Sequence, residues 1–200
     1  MNLLKPPLAR KRLCCVAIGL LILLPSPSIL ADYEAGVHAA FDGDYDTAYR
    51  EFVIAAETGL DVAQYNLGIL YYLGNGVGRD YDQAFKWTSA AAGQGHIAAL
   101  FNLGSLYFSG QGTTVDEDKA IELYSRSARD GHADAALTLA MMYHDGESVN
   151  RDPVQAYAWA SMALNNEHIK AASLRDDIEL GMNPQQLSEA RRLFARWQIQ

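Results

Sequence analysis

His96, His132 and His168 recur at intervals of 36 residues, and evenly repeated imidazoles first raise the question of a metal site. A shared ion would need their nitrogens to converge on bonds of about 2 Å. Equivalent positions on stacked helices stand at least about 8–10 Å apart, so in a stack the three cannot meet. They read as separate, partly exposed residues at helix starts. Gly74, Gly76 and Gly78 imitate a phosphate-cradling loop, but that loop joins a strand to a helix and here a helix precedes it. Asp42, Asp44 and Asp46 open like a calcium loop. Thr47 then stands where glycine is required and Val53 where a bidentate glutamate belongs, so capping and solvation explain the carboxylates better.

No G-x-S-x-G, H-E-x-x-H or S-x-x-K occurs anywhere in the chain. No catalytic, cofactor-binding or metal-ligating residue is therefore assigned, and no cofactor is expected. A hydrolase acting on cell-wall or β-lactam substrates stays as the alternative class, because surface Ser, His and Asp can meet across repeats without a linear motif.

The elements that must position any surface are set by a 36-residue period. Asp44, Asp80, Asp116 and Asp152 each precede by four an alanine, Ala48, Ala84, Ala120 and Ala156. Further columns hold Gly59, Gly95 and Gly131, then Leu67, Leu103 and Leu139, then Tyr71, Tyr107 and Tyr143, then Gly74, Gly110 and Gly146. Such a period belongs to a unit that buries its apolar face only against a neighbouring copy.

Within one period, Asp80 and Gln83 have capping-box spacing and start a helix running to about Ala92, which Gly93 and Gly95 terminate. A second helix runs from about Ile97 to Gly110. Gly104 lies inside it, in register with Gly68 and Ala140, and marks a close helix approach. Trp87, Leu123 and Trp159 share one column, which favours packing between repeats over a ligand cage. Tyr33 to Phe41 is expected to cap the stack at one end. At the other, a helix opened by Asn183 and Pro184 carries Leu187, Ala190, Phe194 and Trp197 on one face.

Residues 1–31 read as an export signal: Lys5, Arg10, Lys11 and Arg12 precede the apolar run Leu13 to Leu24, which Pro25 and Pro27 break. That run is shorter than the roughly 20 residues a membrane span needs. Cleavage after Ala31 is expected, with a periplasmic or secreted product; an uncleaved signal anchoring the chain to a membrane is the alternative. Cys14 and Cys15 would leave with the leader, so the remaining chain holds no disulfide. Four of the 16 basic residues and none of the 24 acidic ones precede Asp32, which leaves 12 against 24, a net −12. That balance argues against nucleic acid as a partner and favours another protein, basic in character.

The run from Ala84 through His96, then Asn102-Leu103-Gly104, Tyr107 and Gly110-Gln111-Gly112, resembles the Sel-one-like repeat family. The resemblance implies an all-α, right-handed α/α solenoid related to tetratricopeptide repeats, with about four repeats over 44–79, 80–115, 116–151 and a degenerate 152–182. A capping helix in 32–43 and another in 183–200 would close it. It also implies an adaptor or regulator that binds a protein partner. One branch, rich in paired cysteines, is β-lactamase-like, and the cysteine-free repeats here depart from it. In such stacks the Asp-capped helix lines the concave side, which makes Arg50, Glu57, Lys86, Glu122, Arg126 and Arg129 the partner-binding candidates, opposite the core-facing Ala48, Phe52 and Ala55.

Overall fold

The computed structural model describes residues 27–199, so the leader predicted over 1–31 lies almost wholly outside them. Among the described residues the chain is all helix and turn. Its elements are α1 (Pro27–Phe41), α2 (Tyr45–Glu57), α3 (Asp61–Leu73), α4 (Tyr81–Gly93) and α5 (Ile97–Ser109). They continue with α6 (Glu117–Arg129), α7 (Ala133–Asp145), α8 (Pro153–Asn165), α9 (Ala171–Leu180) and α10 (Pro184–Trp197). Each helix through α9 packs against its neighbours in the chain, and α10 folds back onto α8. This is the α/α solenoid the columns require.

Helices α2 to α8 are 13 residues long, a length that is marginal in isolation, so their ends and packing must supply the stability. The ends are chemically specified. Asp44 accepts the Thr47 amide, Asp80 the Asp82 and Gln83 amides, Asp116 the Lys119 amide, and Asp152 the Val154 and Gln155 amides. The reciprocal bond of a full capping box forms at Asn183 and Gln186, which open α10. Gly74, Gly110 and Gly146 close α3, α5 and α7 in the left-handed conformation that glycine adopts without cost. Two local expectations shift. Gly93 is the last residue of α4 and not its terminator, the turn being made at Gly95, and α1 begins at Pro27, upstream of Tyr33.

Between the ends, the small columns let the helices touch. Ala48, Ala84, Ala120 and Ala156 have no exposed surface. A β-carbon on Gly104 would sit 2.8 Å from the Tyr124 ring and 3.2 Å from the Ala120 carbonyl oxygen. Gly104→Leu is therefore expected to cost about 1–3 kcal/mol by overpacking. Gln111→Ala, in the following loop, should change stability by about 0.5 kcal/mol or less. Equal urea midpoints for wild type and Gly104→Leu would refute the contact.

The fourth period breaks the rule in a way the geometry makes costly. Gly59, Gly95 and Gly131 take φ values of 95°, 88° and 106°, and Glu167, in the same column, is forced to 70°. A side chain there stores strain of order 1 kcal/mol or more. Glu167→Gly should raise stability by about 0.5–1 kcal/mol once the entropy of glycine is offset. An unchanged or lower melting temperature would contradict it.

Candidate functional site

The histidines serve the scaffold at separate helix junctions. His96 and His132 cap α5 and α7, their Nδ1 atoms accepting the amides of Ala99 at 3.2 Å and Ala135 at 3.3 Å. Each ring also stacks on an aromatic from the preceding helix pair, Tyr65 at 4.5 Å and Phe101 at 4.8 Å. His168 leaves this pattern, because Lys170 holds the cap position of α9. Its Nε2 meets Asp134 Oδ1 at 3.1 Å, and its Nδ1 is buried without a protein partner.

An imidazole that accepts an amide hydrogen must be neutral on that nitrogen. Burial holds the His132 pKa below its ordinary 6.5, against a smaller opposing pull from Asp134. The unfolded chain therefore binds this proton more readily, so the contribution of His132 is present above pH 6.5 and is lost as pH falls through the lower folded value. Replacing His132 with Asn, which keeps an accepting oxygen but does not titrate, should flatten the dependence of melting temperature on pH below neutrality. An unaltered pH profile would remove His132 from the account.

Other ring pairs follow the period too. Tyr49 meets Tyr71 edge-on at 5.7 Å and Phe85 meets Tyr107 at 5.3 Å. The two tyrosine hydroxyls lie 2.9 Å apart. Burial first, and then that bond, push the Tyr71 phenol up to about 12, so it stays protonated at neutral pH and offers no nucleophile.

What remains open is a surface on α1, α3, α5 and α7. Val37 and Leu73 are one period apart and 39% and 55% exposed, and Tyr72 and Phe108, also one period apart, are 41% and 39% exposed. Met141, two periods on from Ile69, extends the row. Exposed apolar residues scattered singly mean little, but these recur on matching faces of successive helices. A pocket of about 210 Å³ opens among α3, α4 and α5, lined by Gly68, Ile69, Tyr72, Thr88, Asn102 and Ser105 together with Ala84 and Leu106. A second depression, between α1 and α3, includes Val37, Phe52, Ile69 and Leu73.

The six sequence-selected candidates lie elsewhere. Arg50, Glu57, Lys86, Glu122, Arg126 and Arg129 are all exposed on α2, α4 and α6, and none lines this pocket. Several are engaged locally: Arg50 donates to Thr47, Lys119 pairs with Glu122 at 2.7 Å, and Lys86 lies over Trp87. Arg129 lies over the rings of Trp159 and Trp197 and is part of the closure of the stack by α10. The apolar row is hard to read from the sequence because its members break helical amphipathicity one residue at a time. The signal available was their spacing of 36, a register already visible in the glycines.

Residues 61–96, 97–132 and 133–168 each match the profile of the Sel1 repeat. The boundaries fall so that each matched unit begins with α3, α5 or α7. Among solved structures, the chain is similar to a Sel1 repeat protein from Oxalobacter formigenes, at 25% identity and a TM-score of 0.68, covering 77% of this chain and 62% of that one. It is also similar to c5321, a protective antigen of uropathogenic Escherichia coli displaying an SLR fold, at 26% identity and a TM-score of 0.49, over 84% of this chain and 45% of that one. This chain thus spans less than two thirds of the length of either. Comparison with curated proteins finds no match. With three complete repeats matched over more than half of its length, the chain belongs to the Sel1 repeat family.

Proposed function

We propose that this protein is an exported adaptor or regulator that binds another protein, basic in character, across several adjacent repeats. Sel1 repeat proteins generally act as protein-interaction adaptors, which supports the coarse reading. The observation that carries it here is the row of exposed apolar side chains, Val37, Tyr72, Leu73 and Phe108, in register on α1, α3 and α5. A solenoid has no reason to leave matched apolar positions in water on successive helices unless something covers them. The net −12 of the chain from Asp32 onward speeds encounter with a basic partner, while apolar contacts govern release.

Export rests on the basic and apolar leader and predicts a product beginning at Asp32, which intact-mass measurement of the periplasmic or secreted fraction tests. Full-length chain retaining Met1 in a membrane fraction would favour the anchored form. The binding reading is tested by affinity capture from that fraction, followed by kinetics on the recovered protein. A Tyr72→Ala, Leu73→Ala double variant should mainly accelerate dissociation, and added salt should mainly slow association. If substitutions at Arg50, Lys86 and Arg126 weaken binding while the double variant does not, the partner uses the opposite side of the stack.

A further inference from the structure

A solenoid stops stacking when its terminal elements turn a polar face outward, and neither end of the described stack does so. Among the described residues the large apolar side chains most open to solvent are Phe41 at 91%, Ile169 at 87%, Leu180 at 86% and Ile199 at 85%, and the next, Val115, is at 60%. Phe41 ends α1, at one end of the stack. Ile169 precedes α9, Leu180 ends it and Ile199 follows α10, all at the other. The ends differ in charge as well. Residues 32–46 hold five carboxylates and no Lys or Arg. Glu34 lies two helical turns before Phe41 on the same exposed face of α1, and Asp42, Asp44 and Asp46 follow within five positions, all exposed. α10 is the reverse: with Arg191, Arg192 and Arg196 against Glu189, it alone among the described helices carries a net positive charge.

The outer face of α10 has the relief to receive a ring. Arg191 is drawn aside to Glu179 at 3.3 Å, whereas Arg192 and Arg196 are exposed and make no ion pair among the described residues. Two shallow depressions meet at Arg192 and Ala195, one bordered by Ser188 and Leu187, the other by Glu189 and Arg196. Ser188 and Ala195 are small and stand either side of Arg192 on one helix face, so an aromatic ring laid between them contacts the helix and the guanidinium together. Copies of a chain with a net −12 repel one another, and the docking that relieves this repulsion brings the positive helix to the end that has carboxylates and no cation. We propose that the protein associates head to tail with a second copy of itself, the Phe41 end of one chain seated on the outer face of α10 of the next. The Phe41 ring occupies the notch between Ser188 and Ala195, with Glu34 and Asp42 beside Arg192 and Arg196. The two surfaces differ, so association continues past the dimer as concentration rises. From Asp32, α1 is about 15 Å long and α10 about 21 Å, so the contact is small and transient. The inference goes beyond the adaptor reading and uses none of Tyr72, Leu73 and Phe108, so the two fail separately.

Sedimentation velocity of the product beginning at Asp32, from about 10 μM to about 1 mM, tests it. The average mass should rise with concentration and pass that of a dimer, and raising salt from about 50 mM to about 500 mM should weaken the association. Phe41→Glu removes one surface and Arg192→Glu with Arg196→Glu the other. Each variant alone should stay monomeric, at a melting temperature within about 2 °C of wild type because the positions are exposed. Mixed in equal amounts they should form a 1:1 dimer and stop there, since one variant keeps an intact α10 and the other an intact Phe41 end. Where a variant melts earlier than that, Phe41→Ser or the two Arg→Gln substitutions take its place in the same mixture. Monomeric wild type at about 1 mM, association of either folded variant alone, a wild-type dimer that does not grow, or no dimer in the mixture would each overturn the inference.

Discussion

Trp159→Ala is expected to destabilise the protein by about 3–5 kcal/mol, the range for removing a buried tryptophan from a packed core. Trp159 is 2% exposed on α8, a helix buried without interruption from Ala156 to Ala163. Its ring meets that of Trp197 on α10 at 4.1 Å, and the Arg129 guanidinium lies 6.0 Å from one centroid and 5.5 Å from the other. One substitution therefore removes the core residue, an apolar contact of the last helix and one of the rings beneath Arg129. At about 2–4 °C per kcal/mol for a chain of this size, the melting temperature should drop by roughly 6–20 °C. Trp87→Ala, at a half-buried member of the same column, should cost distinctly less. A loss at Trp159 below about 1 kcal/mol in urea titration would mean that α10 is seated by other contacts.

The second large effect concerns a glycine that two constraints hold at once. Gly112 has φ of 69°, and a β-carbon there would lie 2.1 Å from the Tyr81 carbonyl oxygen. The loop after α5 thus lies backbone against backbone on the start of α4, as the loop after α3 lies on Tyr45 through Gly76. Gly112→Ala must pay left-handed strain and also lift the loop, for a combined cost of about 3 kcal/mol or more. Gly59→Ala separates the two contributions, because Gly59 has φ of 95° but open space around it, and about 1 kcal/mol is expected there. If the two variants melt together, close approach contributes nothing. The third loop carries Ser148 in the Gly112 column, and there the loop surrounds an opening with Asp118 and Tyr143 on its wall.

The period, the helix starts and the helix stops were legible in the amino-acid sequence because each is a local matter. A carboxylate caps amides three residues away, and a left-handed turn selects glycine whatever lies elsewhere. Even the tight contact at Gly104 could be read, since repetition of a helix-weakening residue demands a reason. Placement of the surface was not local. Arg50, Lys86 and Arg126 are polar and lie opposite Ala48 and Phe52, which establishes exposure and nothing about what surrounds them. The histidines, similarly, are legible as residues at helix starts, but the stacking of His96 and His132 on Tyr65 and Phe101 joins residues about 31 apart and appears only when helix pairs are laid side by side. The pocket is the clearest case. Thr88 and Ser105 are 17 positions apart and ordinary in type, and they line one pocket only because the fold lays α4 and α5 against α3. Local chemistry determined where each helix begins and ends; volume shared between helices, which only packing can distribute, decided where the stack leaves openings.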